Sequence, residues 1–326
     1  MTPLLQLDTV TKAWRTPAGL VQAVRGVSLA VQAGETVALV GESGCGKSTL
    51  ARLALRLTPV DAGRILFDGQ DITHASERAL TAIRPRLQMV FQDASAALNP
   101  RRTIGQAIDD PLRVHRRPNR AARVQALLAE VGLDASLASR FPHEVSGGQR
   151  QRVGIARALA LDPAVVIADE PVSALDVSVR AQVINLMSSL ARQRGLAMVF
   201  IGHDLAVVRH LADRIAVMHL GEIVEAAPRQ RFWSQAAHPY SQALIASVPA
   251  ATPAAARARG PAPLAGDLPS PLAPPPGCSF HTRCPRAIAA CQHQSPPLIR
   301  LAPDHTARCH LLTHPVLDAA ASTGHR

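Results

Sequence analysis

Lysine is nearly missing from this 326-residue sequence: Lys12 and Lys47 are the only two among 35 basic residues, and the rest are arginine. Aromatics are as sparse, at 3% with one tyrosine and two tryptophans, which leaves few ring faces on which bases could stack. A net charge of +11 invites a nucleic-acid reading. The arginines are scattered, however, apart from the run Arg113 to Arg123, and charge without stacking platforms does not carry that reading; no nucleic-acid partner is expected. No apolar run approaches the roughly 18 residues that cross a bilayer, and the opening Met1-Thr2-Pro3-Leu4-Leu5 lacks the basic start and apolar stretch of a signal peptide. The expectation is a cytoplasmic protein whose membrane contact comes through partners. With 47% hydrophobic residues the chain supports a packed core, which excludes a disordered polypeptide.

Residues 1 to about 235 alternate short β-branched runs with helical patterns, the mark of an α/β fold on a largely parallel sheet. Three runs stand out because of the residues at their ends. Thr36 to Val40 leads into a glycine loop, Ala164 to Ala168 ends in two carboxylates, and Ala197 to Ile201 ends just before a histidine. In such sheets ligand chemistry sits at the carboxyl ends of the strands. Between Asp93 and Leu161 the strand signal gives way to Ala, Leu and Arg patterns, which predict an inserted helical subdomain at about 93–161. Nine prolines then fall between Pro249 and Gly277, too many for helix interiors or central strands, so 249–277 reads as a linker or a wrapped extended segment. A tail from Cys278 to about His314 carries four of the five cysteines.

Gly41-Glu42-Ser43-Gly44-Cys45-Gly46-Lys47-Ser48-Thr49 fits G-x-x-x-x-G-K-[ST] between a strand and a helix. Glycines let backbone N–H groups turn onto phosphates, and the helix start adds its dipole. Lys47 would pair with the terminal phosphates and the Ser48 hydroxyl would bind Mg²⁺. The apolar run ending in Ala168-Asp169-Glu170 supplies the complement, one carboxylate for the cation and a second for an attacking water. Two adjacent carboxylates are rarely buried unless a cation compensates them.

Val145-Ser146-Gly147-Gly148-Gln149 resembles the signature of the ABC ATPases, usually written LSGGQ, with valine in place of leucine. The other motifs of that family come in order over about residues 4–235. Gln92 looks like the Q-loop glutamine, Asp176 in Ser173-Ala174-Leu175-Asp176 like the D-loop, His203 like the switch histidine, and Trp14 stands where the family carries an adenine-stacking aromatic. The resemblance implies a P-loop (RecA-like) α/β core with an inserted α-helical subdomain. It implies Mg-ATP held by Trp14, the loop Gly41, Ser43 to Thr49, and the Mg²⁺ ligands Ser48, Gln92 and Asp169. Glu170, His203 and Gln92 would be catalytic, and Ser146, Gly147, Gly148 and Gln149 would close on the ATP of a partner subunit.

A narrower resemblance, to the dipeptide and oligopeptide importer ATPases and most to the F-type member of the D/F pair, rests on several further stretches. These are Leu98-Asn99-Pro100-Arg101, Val177-Ser178-Val179-Arg180, His238-Pro239-Tyr240 and the tail from Pro276 to Pro285, so that 236–326 forms the extension of that subfamily. It implies a heterodimer with a paralogous ATPase, two transmembrane permeases and an extracytoplasmic binding protein, at the cytoplasmic face of the inner membrane; the alternatives are the same motor for nickel, glutathione or sugar cargo, and, less favoured, a soluble ABC ATPase acting on nucleic acid or ribosomes. Cys278, Cys284, Cys291 and Cys309 are spaced C-x5-C-x6-C-x17-C. Four cysteines in a short cytosolic tail point to metal more than to disulfides, yet they lack the paired C-x2-C of most zinc sites. The subfamily resemblance favours a [4Fe-4S] cluster, with Zn²⁺ as the alternative and His281, His305 and His310 as nearby substitute ligands.

Overall fold

The computed structural model describes residues 2–248 and 269–312; the first part of the proline-rich segment and the end of the expected tail lie outside them. Among the described residues twelve strands run in chain order: β1 (Leu5–Thr16), β2 (Gly19–Val31), β3 (Thr36–Val40), β4 (Ala62–Phe67), β5 (Gln70–Asp71), β6 (Leu87–Val90), β7 (Val165–Asp169), β8 (Ala197–Gly202), β9 (Arg214–His219), β10 (Glu222–Pro228), β11 (Leu298–Ala302) and β12 (His305–Arg308). They form two sheets, one of order β2-β1-β4-β5 and one of order β11-β12-β10-β9-β3-β8-β7-β6.

The second sheet is the frame of the site. Its strands β9, β3, β8, β7 and β6 are all parallel, and β3, β7 and β8 are buried along their whole length. Such double burial explains why they read as unbroken apolar runs. Successive residues feed opposite layers: Ala38, Val40, Val166, Ala168 and Phe200 pack with the helices Ile104–Val114, Arg120–Glu130 and Gly147–Leu159. Val37, Leu39, Val165, Ile167 and Ile201 pack instead with the helix Lys47–Ala54 and the first sheet. Between β6 and β7 the described residues hold helices and 3-10 turns.

The structure departs from the sequence reading in one place. The first sheet is wholly antiparallel, with β1 paired to β2 and β4, so β1, β2, β4 and β5 stand apart from the parallel sheet. Its signal is the alternating burial of Leu5 and Leu7 in β1, resumed at Val10 and Lys12 after an irregularity, the two-residue period of a sheet with one face covered. On either side of 249–277, the stretch read as a linker or a wrapped extended segment, the chain forms further elements. Pro239–Ala246 is a helix, and β11 and β12 extend the large sheet by pairing β12 antiparallel to β10.

That docking is fixed by a carboxylate at full burial. Glu225 accepts hydrogen bonds from the backbone N–H groups of Ala237 and His238 at 2.8 and 2.9 Å, and His305 Nε2 donates to its Oε1 at 2.8 Å. The Glu225 side chain is 0% exposed and that of His305 4%. Removing one member of a buried pair strands the other charge, so His305→Ala should destabilise the chain by about 3 kcal/mol. Urea unfolding of the two proteins measures it, and a change within about 0.5 kcal/mol contradicts the assigned role.

Candidate nucleotide site

Four of the candidate elements leave the carboxyl ends of adjacent parallel strands. The loop 41–46 follows β3, Gln92 follows β6, Asp169 closes β7, and His203 follows β8. Strand order alone therefore gathers residues that lie more than a hundred positions apart in sequence.

The loop needs glycine for steric reasons at two positions. Gly46, the N-cap of the helix Lys47–Ala54, has φ +107°, and a Cβ there would sit 2.1 Å from the Ala23 carbonyl oxygen. Gly41 has φ +154°, and a Cβ there would come within 2.1 Å of the Met218 carbonyl oxygen. Both positions bring the backbone against neighbouring strands with no room for a side chain. Inside the turn the buried Lys47 ammonium donates to the carbonyls of Gly41 and Glu42 at 2.8 and 2.9 Å, with Cys45 Sγ at 3.8 Å. A cation is thus held among loop groups at a helix N-terminus, the arrangement a polyphosphate requires. Burial pushes the Cys45 thiol pKa up, against the pull of Lys47.

Ser48 Oγ donates to Asp169 Oδ1 at 3.0 Å. Burial pushes the Asp169 carboxyl pKa up; the Ser48 hydroxyl opposes this and the charge of Glu170 adds to it. A buried carboxylate beside a second one, with a hydroxyl in contact, is a donor set short of a cation, and it fits Mg²⁺. Glu170 itself has φ +44°, a left-handed backbone that a non-glycine residue adopts at a cost of about 1–3 kcal/mol. The turn aims its carboxylate between two candidates: Gln92 Nε2 donates to Oε2 at 3.1 Å and His203 Nδ1 lies 3.7 Å from Oε1.

The remaining candidates lie elsewhere. Ser146 and Gly147 are exposed, and Ser146 caps the helix Gly147–Leu159 in a reciprocal box with Gln149, at 3.2 Å to the Gln149 N–H and 2.9 Å back. Gly148 is tight: a Cβ would approach Val179 Cγ1 to 2.5 Å. Asp176 starts the helix Val177–Arg194 with an exposed side chain that makes no capping bond. Trp14, on β1, is 42% exposed, with Lys12 Nζ 4.9 Å from its ring centre.

In the tail, Cys278, Cys284, Cys291 and Cys309 are all free thiols and converge closely enough to act on one another electrostatically. Burial raises the Cys278 thiol to about 11, and burial pushes up Cys284 and Cys309 as well. Among the described residues no group of three or more His, Cys, Asp or Glu is arranged to hold a metal ion, so the placement of the four cysteines gives no support to the expected [4Fe-4S] or Zn²⁺ site. The three substitute histidines are engaged in other ways: His281 Nδ1 with the Cys278 carbonyl, His305 with Glu225, and His310 Nε2 with the Gln294 carbonyl.

Two contacts of the loop were invisible to the sequence reading. The Glu42 N–H donates to the hydroxyl of buried Tyr240 at 2.9 Å, and Arg283 grips the Glu42 carboxylate through both terminal guanidinium nitrogens. No local pattern marks either one, because the partners are 198 and 241 residues apart.

Known proteins resemble this chain in sequence and in fold. The chain matches the family described as ABC transporter over residues 24–173, and that described as oligopeptide/dipeptide transporter, C-terminal region, over residues 224–291. It is 50% identical over 318 residues to the probable peptide ABC transporter ATP-binding protein y4tS of Sinorhizobium fredii, covering 94% of this chain and 90% of that protein. It is 49% identical to the oligopeptide transport ATP-binding protein AppF of Bacillus subtilis, covering 94% and 97%. Among solved structures, the dimeric post-hydrolysis state of the ATP-binding cassette MJ0796 bound to ADP and Pi matches with a TM-score of 0.64 at 31% identity, over 69% of this chain and 98% of that one. The structure of cbiO1 from Clostridium perfringens matches with a TM-score of 0.65 at 26% identity, over 72% and 92%. The chain therefore belongs to the ABC transporter ATP-binding family, as an ATPase that carries the C-terminal region of the oligopeptide/dipeptide transporters.

Proposed function

We propose that this chain energises the import of oligopeptides or dipeptides, pairing head to tail with a paralogous ATPase beneath two transmembrane permeases that an extracytoplasmic binding protein feeds. The carrying observation is the convergence of Gln92 and His203 on Glu170 at neighbouring strand ends, beside Lys47, Ser48 and Asp169. Glu170 orients the hydrolytic water and takes up its proton, while His203 and Lys47 offer hydrogen bonds to the terminal phosphate. Ser48 and Asp169, with Gln92, would hold Mg²⁺, which neutralises phosphate charge when bound. Trp14, exposed on β1, offers a ring to adenine. Ser146 to Gln149 and Asp176 present an exposed helix start and an exposed carboxylate, groups suited to the nucleotide of the facing subunit. The division into an ATPase domain, residues 1–235, and an extension, residues 236–326, belongs to the same proposal.

Peptide cargo rests on the C-terminal region and on the functions for which the relatives are named. No helix among the described residues is long and apolar enough to cross a membrane, so attachment to the cytoplasmic face is assigned to the permeases. Affinity purification from native membranes tests the assembly. Recovery of a second ABC ATPase and two multi-spanning permeases is expected, and recovery with nucleic acid alone contradicts it.

For the tail we propose a [4Fe-4S] cluster. The reading rests on four thiols close enough to act on one another electrostatically, three of them within the oligopeptide/dipeptide transporter C-terminal region, and four thiolates are the ligand set of such a cluster. Anaerobic purification should yield iron with acid-labile sulfide, both lost in Cys278→Ser; stoichiometric zinc without iron refutes the cluster.

A further inference from the structure

The phosphate loop carries a carboxylate of its own, on Glu42, in a turn built to receive a polyanion. The C-terminal tail meets it. Arg283 Nη1 donates to Glu42 Oε2 at 2.6 Å and Nη2 to Oε1 at 2.9 Å, a planar two-point grip. The guanidinium side chain is only 4% exposed and the carboxylate side chain 27%. The hydrogen bond from Arg283 holds the Glu42 carboxyl below its usual range, and Lys47 lies near enough to act on the same carboxylate. Lys47 is therefore within reach of two anions, the carboxylate of its own loop and an incoming phosphate.

We propose that Arg283 is a positioning residue of the nucleotide site, whose guanidinium occupies Glu42 and so reserves the Lys47 ammonium for phosphate. The proposal rests on the phosphate-loop reading given above. The tail is built to keep Arg283 in place. Its backbone N–H donates to the Phe280 carbonyl at 3.1 Å, and the Phe280 ring packs against Tyr240 and His219 with centres 5.2 and 5.4 Å away. Tyr240 in turn accepts from the Glu42 N–H, so the loop residue is held at its backbone and at its side chain by two separate parts of the extension. Cys284 comes directly after Arg283, so whatever orders the thiols also orders the guanidinium. Without the guanidinium, Glu42 turns to Lys47 and repels phosphate; an unmasked unit charge a few ångströms from a polyanion is worth about tenfold in affinity.

Binding of a fluorescent, ribose-labelled ATP with Mg²⁺ to the full-length chain tests this in a double-mutant cycle. Arg283→Ala should raise the Kd about tenfold, with a gap that narrows as salt is added. In a Glu42→Gln background the same substitution should change Kd by less than about twofold, because no carboxylate is left to unmask. Arg283→Lys, which keeps the charge, should fall between. An Arg283→Ala Kd within about twofold of wild type overturns the proposal, and so does an undiminished tenfold loss in the Glu42→Gln background, since that would mark a purely structural role. Should Arg283→Ala fail to fold, Arg283→Gln takes its place in the cycle with the same expected and contradicting outcomes. A wild-type chain that binds no nucleotide refutes the underlying phosphate-loop reading, an outcome separate from these.

Discussion

Glu170→Gln should still bind ATP and should lose turnover by about 10²- to 10⁴-fold in the assembled transporter, the range expected when a general base is removed. The substitution keeps size and hydrogen-bonding shape, so the amide oxygen can still accept from Gln92, as Glu170 Oε2 does at 3.1 Å. What it removes is the ability to take a proton from water. Because ATP stays intact between the paired subunits, the closed state should accumulate, since the two nucleotides shift the open–closed balance only through their different affinities for it. Single-turnover hydrolysis and size-exclusion chromatography with ATP read the two effects separately. Turnover at the wild-type rate would remove Glu170 from the chemistry and leave its left-handed backbone, φ +44°, without a purpose.

Mild acid should loosen the C-terminal extension. His219 and His238 are buried where the extension packs on the phosphate-loop side of the sheet, in ring contact with Tyr240 and Phe280. Burial lowers His219 to about 4, against the pull of Glu42, and burial with the nearby His219 lowers His238 to about 3. His238 Nδ1 accepts the Tyr240 N–H at 3.0 Å, which requires that nitrogen to carry no proton. Both rings therefore stay neutral in the folded chain at pH values where the unfolded chain, titrating near 6.5, takes up protons. Their contribution is fully present above about pH 6.5 and is lost as pH falls towards the folded values. At 1.36 kcal/mol per pH unit and group, the pair loses roughly 4 kcal/mol between pH 6.5 and 5. Urea unfolding at pH 7 and pH 5, wild type against His219→Gln/His238→Asn, isolates this contribution. Equal acid sensitivity of the two proteins contradicts it.

Distance along the chain decided how much of this was legible. The phosphate loop, the Asp169-Glu170 pair and the Ser146 to Gln149 turn are contiguous strings, and the chemistry of each string limits its residues: glycine where a Cβ would strike a carbonyl, carboxylates where an apolar strand ends. β3, β7 and β8 were equally readable, because strands buried on both faces allow only apolar residues. The antiparallel first sheet was missed because its alternation is interrupted by register shifts between Leu7 and Val10 and between Lys12 and Ala13. The four cysteines suggested a metal through their number in a short tail and through the subfamily resemblance, and neither tells how far apart folded thiols stand. Least legible were the grip of Arg283 on Glu42 and the seat of His305 against Glu225. Each joins single residues with no local pattern, 241 and 80 positions apart. The proline content of 249–277 suggested a linker or a wrapped extended segment, and the residues flanking it, Tyr240 and Arg283, both touch the loop.

Coupling of ATP hydrolysis at this site to peptide import is measured by ATPase activity of the complete transporter in proteoliposomes, with and without peptide-loaded binding protein. The rate should rise when the loaded binding protein is added and collapse with Glu170→Gln in this subunit. A rate indifferent to peptide, or one that survives Glu170→Gln unchanged, would contradict it.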